Sequence, residues 1–209
     1  MPPVPRARLE VGNLSSWHES RWKPQAINRK DVGGPSYGLY QISTRVSRGG
    51  GSPMAAFLAY VQKNNPAIGL QLTRAGGAKA AKELNEKFIS TWKHLATDAK
   101  LAPTFSGLQT SFVNEKLYTP AVRAIRKLGL DPDKRSATLR AVVWSMAVQH
   151  PTKTRTIFRT VLGHGGSALS DKELIRALYK ERSKTFPRQT DRYEAELKDA
   201  LKILETEQH

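Results

Sequence analysis

The segment from Asp133 to His150 constrains the fold more than any other part of the chain. It contains the run AVVWSMAV and is the most apolar helical pattern in the sequence. A helix this apolar is satisfied only by burial. We therefore predict that it is the central helix of the protein. Its core-forming side chains are expected to be Leu139, Val142, Val143, Met146 and Ala147.

Most of the remaining chain also has helical periodicity. Apolar residues three or four positions apart predict further amphipathic helices, one of which begins at a Ser170 to Glu173 capping box. The other expected ranges are 54–62, 78–97, 104–118, 121–128, 152–162 and 190–205. Alternation typical of a strand is confined to residues 37–43. The sequence therefore predicts a mainly α fold with two helical lobes and one small β-hairpin beside a cleft.

Length and composition limit the domain organisation. The 209 residues suffice for one domain with a substantial core. Three prolines among the first five positions predict a flexible tail over residues 1–9, and the domain is expected over residues 10–209. The chain has no cysteine, which excludes disulfides and a thiol nucleophile.

The charge balance indicates an anionic partner. Lys and Arg number 34 against 18 Asp and Glu, giving a formal charge of +16. Such a field favours polyanions, among which cell-wall polymers and nucleic acids both qualify. No apolar run is long enough to cross a bilayer, and the N-terminus lacks the apolar core of a secretory signal. We expect synthesis in the cytoplasm and no membrane partner.

Two carboxylates flank a loop near the N-terminus. Glu19 lies between tryptophans, and an apolar setting raises the pKa of a carboxyl group, as a general acid requires. Asp31 precedes the turn formed by Gly33, Gly34 and Pro35, where polar neighbours and solvent keep a carboxylate ionised. Such a pair is typical of glycoside hydrolysis.

Motifs around these carboxylates resemble known enzymes. Glu19-Ser20, then Pro24 and Ala26, then GLYQI at 38–42 resemble the signature of lytic transglycosylases and goose-type lysozymes. Asp31 to Ser36 with the hairpin resembles the pattern of phage lysozymes and chitosanases. All belong to the lysozyme-like superfamily, so the resemblance implies an α+β lysozyme-like fold.

The second half of the chain narrows the resemblance. The stretches FSGLQTSF, AVVWSMAVQHP, SDKELIRALYKERSKTF and RYEAEL resemble the chitosanase-like lysozyme domains of type VI secretion spike proteins and of some phage enzymes. The AYN motif of lytic transglycosylases is absent from the sequence. The resemblance implies a muramidase that hydrolyses the bond between N-acetylmuramic acid and N-acetylglucosamine.

The expected site residues follow from the pattern and the resemblance. Glu19 is expected to be the general acid and Asp31 the base, with Ser36 holding the attacking water. His150 has an alternative role as an electrostatic cap of its helix. The histidines show no metal-ligand spacing, and neither a metal nor a cofactor is expected. The expected substrate-binding residues are Ser20, Trp22, Ser36, Tyr37, Tyr40, Gln41, Gln109, Gln149 and His150.

Several functions remain open at this point. Within the same fold the alternatives are a phage endolysin, a lytic transglycosylase and a chitosanase, although the positive charge disfavours polycationic chitosan as a substrate. A basic nucleic-acid-binding protein is the alternative from another class, but no motif of such proteins occurs. The expected partners are peptidoglycan strands, a cognate immunity protein and a larger spike protein joined through the N-terminal linker. The enzyme is expected to act in the periplasm or cell wall of a target bacterium, delivered by a secretion apparatus or a holin.

Overall fold

The chain forms two compact units. The N-terminal unit ends at Val113 and the C-terminal unit begins at Asn114. Within the part of the chain that is described, no helix is both long and apolar enough to span a bilayer. The structure, a computed structural model, describes residues 20, 23–31, 34–47, 50–163 and 165–207.

A small antiparallel sheet opens the N-terminal unit. Its strands β1 (Ile27–Asn28), β2 (Ser36–Tyr37) and β3 (Ile42–Ser43) lie in that order. Tyr37 is opposite Ile27 on one side and Ile42 on the other. The predicted hairpin is therefore confirmed. Strand β1 was not predicted, because two residues are too few to show an alternating pattern.

Five helices follow the sheet in the N-terminal unit. The predicted helix over 78–97 is wrong as a single element, because Leu84 has a positive φ of 55° that interrupts it. Asn85 then caps a new helix by accepting the Lys87 amide at 3.0 Å. The helices are α1 (Pro53–Asn64), α2 (Pro66–Arg74), α3 (Gly77–Lys82), α4 (Glu86–Thr97) and α5 (Ala102–Val113).

Aromatic side chains fill the core of the N-terminal unit. Trp92 of α4 meets Phe105 of α5 edge-on, with ring centroids 4.9 Å apart. Phe57 of α1 meets Phe112 of α5 at 5.3 Å. Tyr37 of β2 joins the same cluster, 5.2 Å from Trp92. These rings fix the sheet against α4 and α5.

The C-terminal unit begins with a π-helical turn, Asn114–Tyr118, in place of the last turn predicted for the helix over 104–118. The helices that follow are α6 (Thr119–Arg126), α7 (Ala137–Gln149), α8 (Thr154–Gly163), α9 (Asp171–Thr185) and α10 (Thr190–Glu207). Short 3₁₀ turns cover Pro132–Lys134, Gly166–Ala168 and Pro187–Gln189.

Helix α7 is the central helix, as predicted. It contacts α6, α8, α9 and α10, and every residue from Thr138 to Met146 except Arg140 is buried. It begins four residues later than expected, because Ser136 caps it by accepting the Leu139 amide at 3.0 Å. The predicted capping box of α9 is present between Ser170 and Glu173. The mainly α architecture with one small sheet is thereby confirmed.

Candidate active site

The expected site residues are distributed over both units. Glu19 and Trp22 lie outside the described residues, so their roles as acid and sugar contact remain predictions. Gln149 and His150 belong to the C-terminal unit. The other expected site residues belong to the N-terminal unit: Ser20, Asp31, Ser36, Tyr37, Tyr40, Gln41 and Gln109.

Asp31 lies on the loop between β1 and β2. Its backbone carbonyl accepts the Gly34 amide at 3.1 Å, which closes a turn. Its side chain is exposed, and within the described residues no hydrogen bond or ion pair engages its carboxylate. Asp31 is therefore a carboxylate that water reaches freely, as a general base that activates water requires.

Ser20, which directly follows Glu19 in the chain, is tied to the turn between β2 and β3. Its hydroxyl donates to the Leu39 carbonyl at 3.0 Å. The Leu39 amide in turn donates to Oε1 of Gln109, a fully buried side chain on α5, at 2.8 Å. The backbone next to Glu19 is thus linked to the core through Leu39, whose carbonyl and amide belong to two adjacent peptide groups of the turn. We call this series of contacts the Ser20–Leu39–Gln109 clamp.

Two further contacts fix the segment that follows Ser20. The Trp92 indole donates to the Pro24 carbonyl at 3.0 Å, and the Gly38 amide donates to the Ala26 carbonyl at 2.8 Å. Gly38 has a φ of +79°, and a Cβ there would lie 2.1 Å from Oε1 of Gln109. Only glycine allows the turn to approach α5 so closely.

Ser36 and Gln41 bind each other within the hairpin, where Ser36 is buried and Gln41 is partly exposed. The Ser36 hydroxyl is fully buried and donates to Oε1 of Gln41 at 2.8 Å. Gln41 has a positive φ of 49°, and its Nε2 donates to the Gly38 carbonyl at 3.0 Å. The expectation that Ser36 holds the attacking water is corrected, because its hydroxyl is inside the turn. Both side chains instead stabilise the turn.

Tyr37 and Tyr40 are core residues. The Tyr37 hydroxyl donates to the Ala81 carbonyl at 2.7 Å, and burial raises the pKa of Tyr37 to about 12. The Tyr40 ring is 6% exposed, with its hydroxyl 3.2 Å from that of Thr110. We also correct the expectation that the side chains of Tyr37, Tyr40 and Gln109 contact sugar, because all three are buried. They position the turn.

His150 and Gln149 lie at the C-terminal end of α7. His150 stacks on Phe186 with ring centroids 3.7 Å apart, and its Nε2 lies 2.6 Å from the Tyr193 hydroxyl. Burial, aided by the charges of Arg182 and Arg192, lowers the pKa of His150 to about 4. The ring is neutral at neutral pH, so the alternative of a charged cap is corrected. Gln149 accepts a hydrogen bond from the Arg182 guanidinium.

A buried ion pair supports these two residues and was not predicted. Arg182 of α9 and Glu196 of α10 are both fully buried, with 3.6 Å between Nη1 and Oε1. Ser145 of α7 donates to Glu196, and the Tyr193 ring lies 4.4 Å from the guanidinium carbon. Arg182 falls on the same helical stripe as Leu178 and Tyr179. A charged residue within an apolar stripe is the feature of the sequence that could have indicated a buried ion pair.

The family of the chain follows from its sequence match. Residues 11–207 match the family described as type VI secretion system spike protein VgrG3-like, C-terminal. The chain belongs to this family. The match includes Glu19, Asp31 and the whole clamp. It also extends over both units, from the sheet to α10.

The chain is also similar to a relative in sequence and to two solved structures in fold. The type VI secretion system spike protein VgrG3 of Vibrio cholerae is 26% identical over 168 residues, which are 79% of this chain and 15% of the relative. The native chitosanase of Bacillus subtilis MY002 matches with a TM-score of 0.61 and 17% identity, over 96% of this chain and 88% of that one. A mutant of that chitosanase complexed with 6 GlcN has a TM-score of 0.57 and 16% identity, with the same coverage.

Family and fold support a glycoside hydrolase of the lysozyme-like type. The chitosanase likeness, at this identity, establishes the fold alone. The chain spans less than a sixth of the curated spike protein that it matches. In the described part of the chain, no three His, Asp or Glu side chains group as a metal site would require.

Proposed function

We propose that the chain is a muramidase that hydrolyses peptidoglycan between N-acetylmuramic acid and N-acetylglucosamine. The observation that carries the proposal is the family match over residues 11–207, because it contains both carboxylates. Glu19 protonates the leaving glycosidic oxygen, and Asp31 accepts a proton from the attacking water. Trp22 contacts the sugar.

The clamp gives Ser20 and Gln109 a positioning role in this mechanism. A general acid must be held within hydrogen-bond reach of the oxygen that it protonates. Ser20 ties the backbone adjoining Glu19 to the Leu39 carbonyl, and Gln109 holds the amide of the same residue. Neither side chain needs to touch the substrate. The exposed Asp31 carboxylate, in contrast, is open to water.

The products of digestion test the proposal. Purified sacculi are treated with the unaltered protein, Glu19→Gln and Asp31→Asn, and the products are identified by mass spectrometry. A muramidase releases reducing-end muropeptides, which we expect to vanish in Glu19→Gln and to fall strongly in Asp31→Asn. Glu194→Gln is the matched control, because Glu194 is an exposed carboxylate on α10 far along the chain from the site.

The same experiment separates the related chemistries. Anhydro-muropeptides together with unchanged turnover in Asp31→Asn would indicate a lytic transglycosylase, which needs only the acid. A muramidase with carboxyl groups roughly 6.5–9.5 Å apart inverts the anomeric centre, and one with a separation near 5 Å retains it. The anomeric configuration of the first product therefore indicates how far apart the two carboxyl groups lie. No products from any of the proteins would argue against an enzyme.

A chitosanase is the second candidate, because a solved chitosanase shares the fold. The formal charge of +16 opposes this, since chitosan is a polycation. Digestion of chitosan and of sacculi by equal amounts of protein decides between them. We expect release from sacculi alone.

We further propose that the chain acts as an antibacterial effector domain, carried by a secretion spike and opposed by an immunity protein. The spike protein relative supports this route. Expression in bacteria with an added export leader should cause lysis, whereas expression without it should not. Glu19→Gln should be harmless in both forms. Equal toxicity of the Glu19→Gln protein without the leader would favour a nucleic-acid target instead.

A further inference from the structure

Three neighbouring helices of the C-terminal unit present a strongly basic surface. Helix α8 packs against both α6 and α9, and all three pack against α7. The stripe of Thr154, Ile157, Phe158 and Val161 faces the core, which leaves the opposite side of α8 to solvent. On these helices, or directly before α8, are six exposed cations that form no ion pair among the described residues. They are Arg123, Lys153, Arg155, Arg159, Arg176 and Lys180, and we call them the basic face.

The carboxylates near the basic face are already engaged. Helices α6 and α8 contain no Asp or Glu at all. On α9, Asp171 binds Arg135 at 2.5 Å, Glu173 closes the capping box, and Glu181 lies 3.7 Å from Lys184. In the loop after α6, Asp131 and Asp133 both bind Arg126. Of the three carboxylates on these helices, two are thus paired with other cations, and Glu173 is the one that keeps an unpaired negative charge beside the six cations.

The basic face has the character of a polymer-binding surface rather than of a protein interface. Protein interfaces usually have apolar or aromatic anchors at their centre. The two exposed large apolar side chains in the described chain, Val46 and Leu70, both lie in the N-terminal unit. Four of the six cations are arginines, whose planar guanidinium matches a carboxylate with two parallel hydrogen bonds.

We propose that the basic face binds the carboxylates of peptide-bearing glycan strands in the bacterial cell wall and holds the protein on its polymer between cleavage events. The inference rests on the proposed function, because it takes the wall as the substrate. The peptides on these strands repeat a negative charge along the polymer, and unpaired cations spread over three helices fit such a repeat. The contact is exposed, so it weakens as salt rises.

Binding to intact sacculi tests the basic face directly. All proteins carry Glu19→Gln so that the polymer persists, and co-sedimentation is measured over a range of salt concentrations. Arg155→Gln/Arg159→Gln should bind roughly tenfold more weakly at low salt and show a shallower salt dependence. Both side chains are exposed, so the fold is retained. Sacculi whose carboxylates have been amidated should bind the Glu19→Gln protein about as weakly as untreated sacculi bind the variant that also carries Arg155→Gln/Arg159→Gln.

The matched control is Lys198→Gln/Lys202→Gln on α10. It removes two exposed cations at the same spacing of four residues, but α10 also carries Glu194, Asp199 and Glu205. We expect little change in binding. Equal losses of sacculus binding in the two double variants would mean that binding depends on net charge alone, and would overturn the proposal.

Other results also decide the matter. Unchanged sacculus binding by Arg155→Gln/Arg159→Gln, or unchanged binding to amidated sacculi, would refute the basic face. Loss of binding to double-stranded DNA with no loss on sacculi would assign the face to nucleic acid instead. If the expected binding losses occur while the protein without Glu19→Gln releases no muropeptides, the basic face stands and the proposed muramidase activity fails.

Discussion

The two units hold their polar interiors in different ways. Among the described residues of the N-terminal unit the buried polar side chains are neutral. Several of them bind the backbone, as Gln109 binds the Leu39 amide and Tyr37 the Ala81 carbonyl. Its described ion pair, Arg29 with Glu86, is exposed. In the C-terminal unit a fully buried ion pair, Arg182 with Glu196, organises side chains from three helices.

The difference reflects what each unit must hold in place. The turn over residues 38–41 is held by the buried Tyr40 and by hydrogen bonds between its peptide groups and neutral side chains. Helices α7, α9 and α10 already pack through apolar stripes. Charges buried between them gain most of their stability from one another. We therefore expect the C-terminal unit to be the more sensitive to loss of a charge and to pH.

The largest effect is expected for Arg182→Met. The substitution leaves the Glu196 carboxylate in the core without its cation, which should lower the free energy of unfolding by about 3–5 kcal/mol. Urea denaturation measures the change. Arg182→Met/Glu196→Leu should recover part of the loss, since neither charge is then buried. A loss under about 1 kcal/mol in the single variant would contradict a structural role for the pair.

Gly38→Ala tests the clamp in the N-terminal unit. The positive φ alone costs about 1–2 kcal/mol for an alanine, and the contact of the new Cβ with Gln109 adds about 1–3 kcal/mol. Gly129→Ala is the matched control, because Gly129 has a φ of +89° but nothing within 4 Å of the new Cβ. Urea denaturation should show the greater loss in Gly38→Ala. Equal losses would mean that Gln109 moves aside freely and does not hold the turn.

His150 gives the smallest of the three effects and one that depends on pH. Its pKa in the folded protein is about 4, below the 6.5 of an unfolded chain, so the unfolded state binds the extra proton first. The stability that the neutral ring contributes is complete above pH 6.5 and is lost as the pH falls towards 4. The shift by itself corresponds to about 3 kcal/mol. Because the ring is partly exposed to solvent, the loss should be roughly 2 kcal/mol.

Thermal or urea unfolding of the unaltered protein and of His150→Gln at several pH values measures this contribution. The difference in stability between the two proteins should change between pH 6.5 and 4 and be constant above that range. A difference that does not vary with pH would show that His150 is as accessible to protons when folded as when unfolded.

Local patterns in the sequence determined the secondary structure of most of the chain. The run around Val142 and Val143 could be satisfied only by burial, and α7 is indeed central. The capping box at Ser170 needs only two side chains and the amides beside them. The break at Leu84 was not predicted, because Leu is a good helix former and rarely adopts a positive φ. The break is a local turn in which the Asn85 amide donates to the Ala80 carbonyl at 2.9 Å.

The sequence also singled out Ser20, Gln41 and Gln109, and all three side chains bind the turn over residues 38–41. It could not determine which way their side chains point. Alternation suggests that Tyr37 and Gln41 face outward, but Tyr37 is buried against aromatic rings of α4, and both ends of the Gln41 amide are hydrogen-bonded within the hairpin. The Arg182–Glu196 pair likewise joins residues 14 positions apart on two helices. Which side chains meet depends on contacts between distant segments, and these form only when the chain is packed.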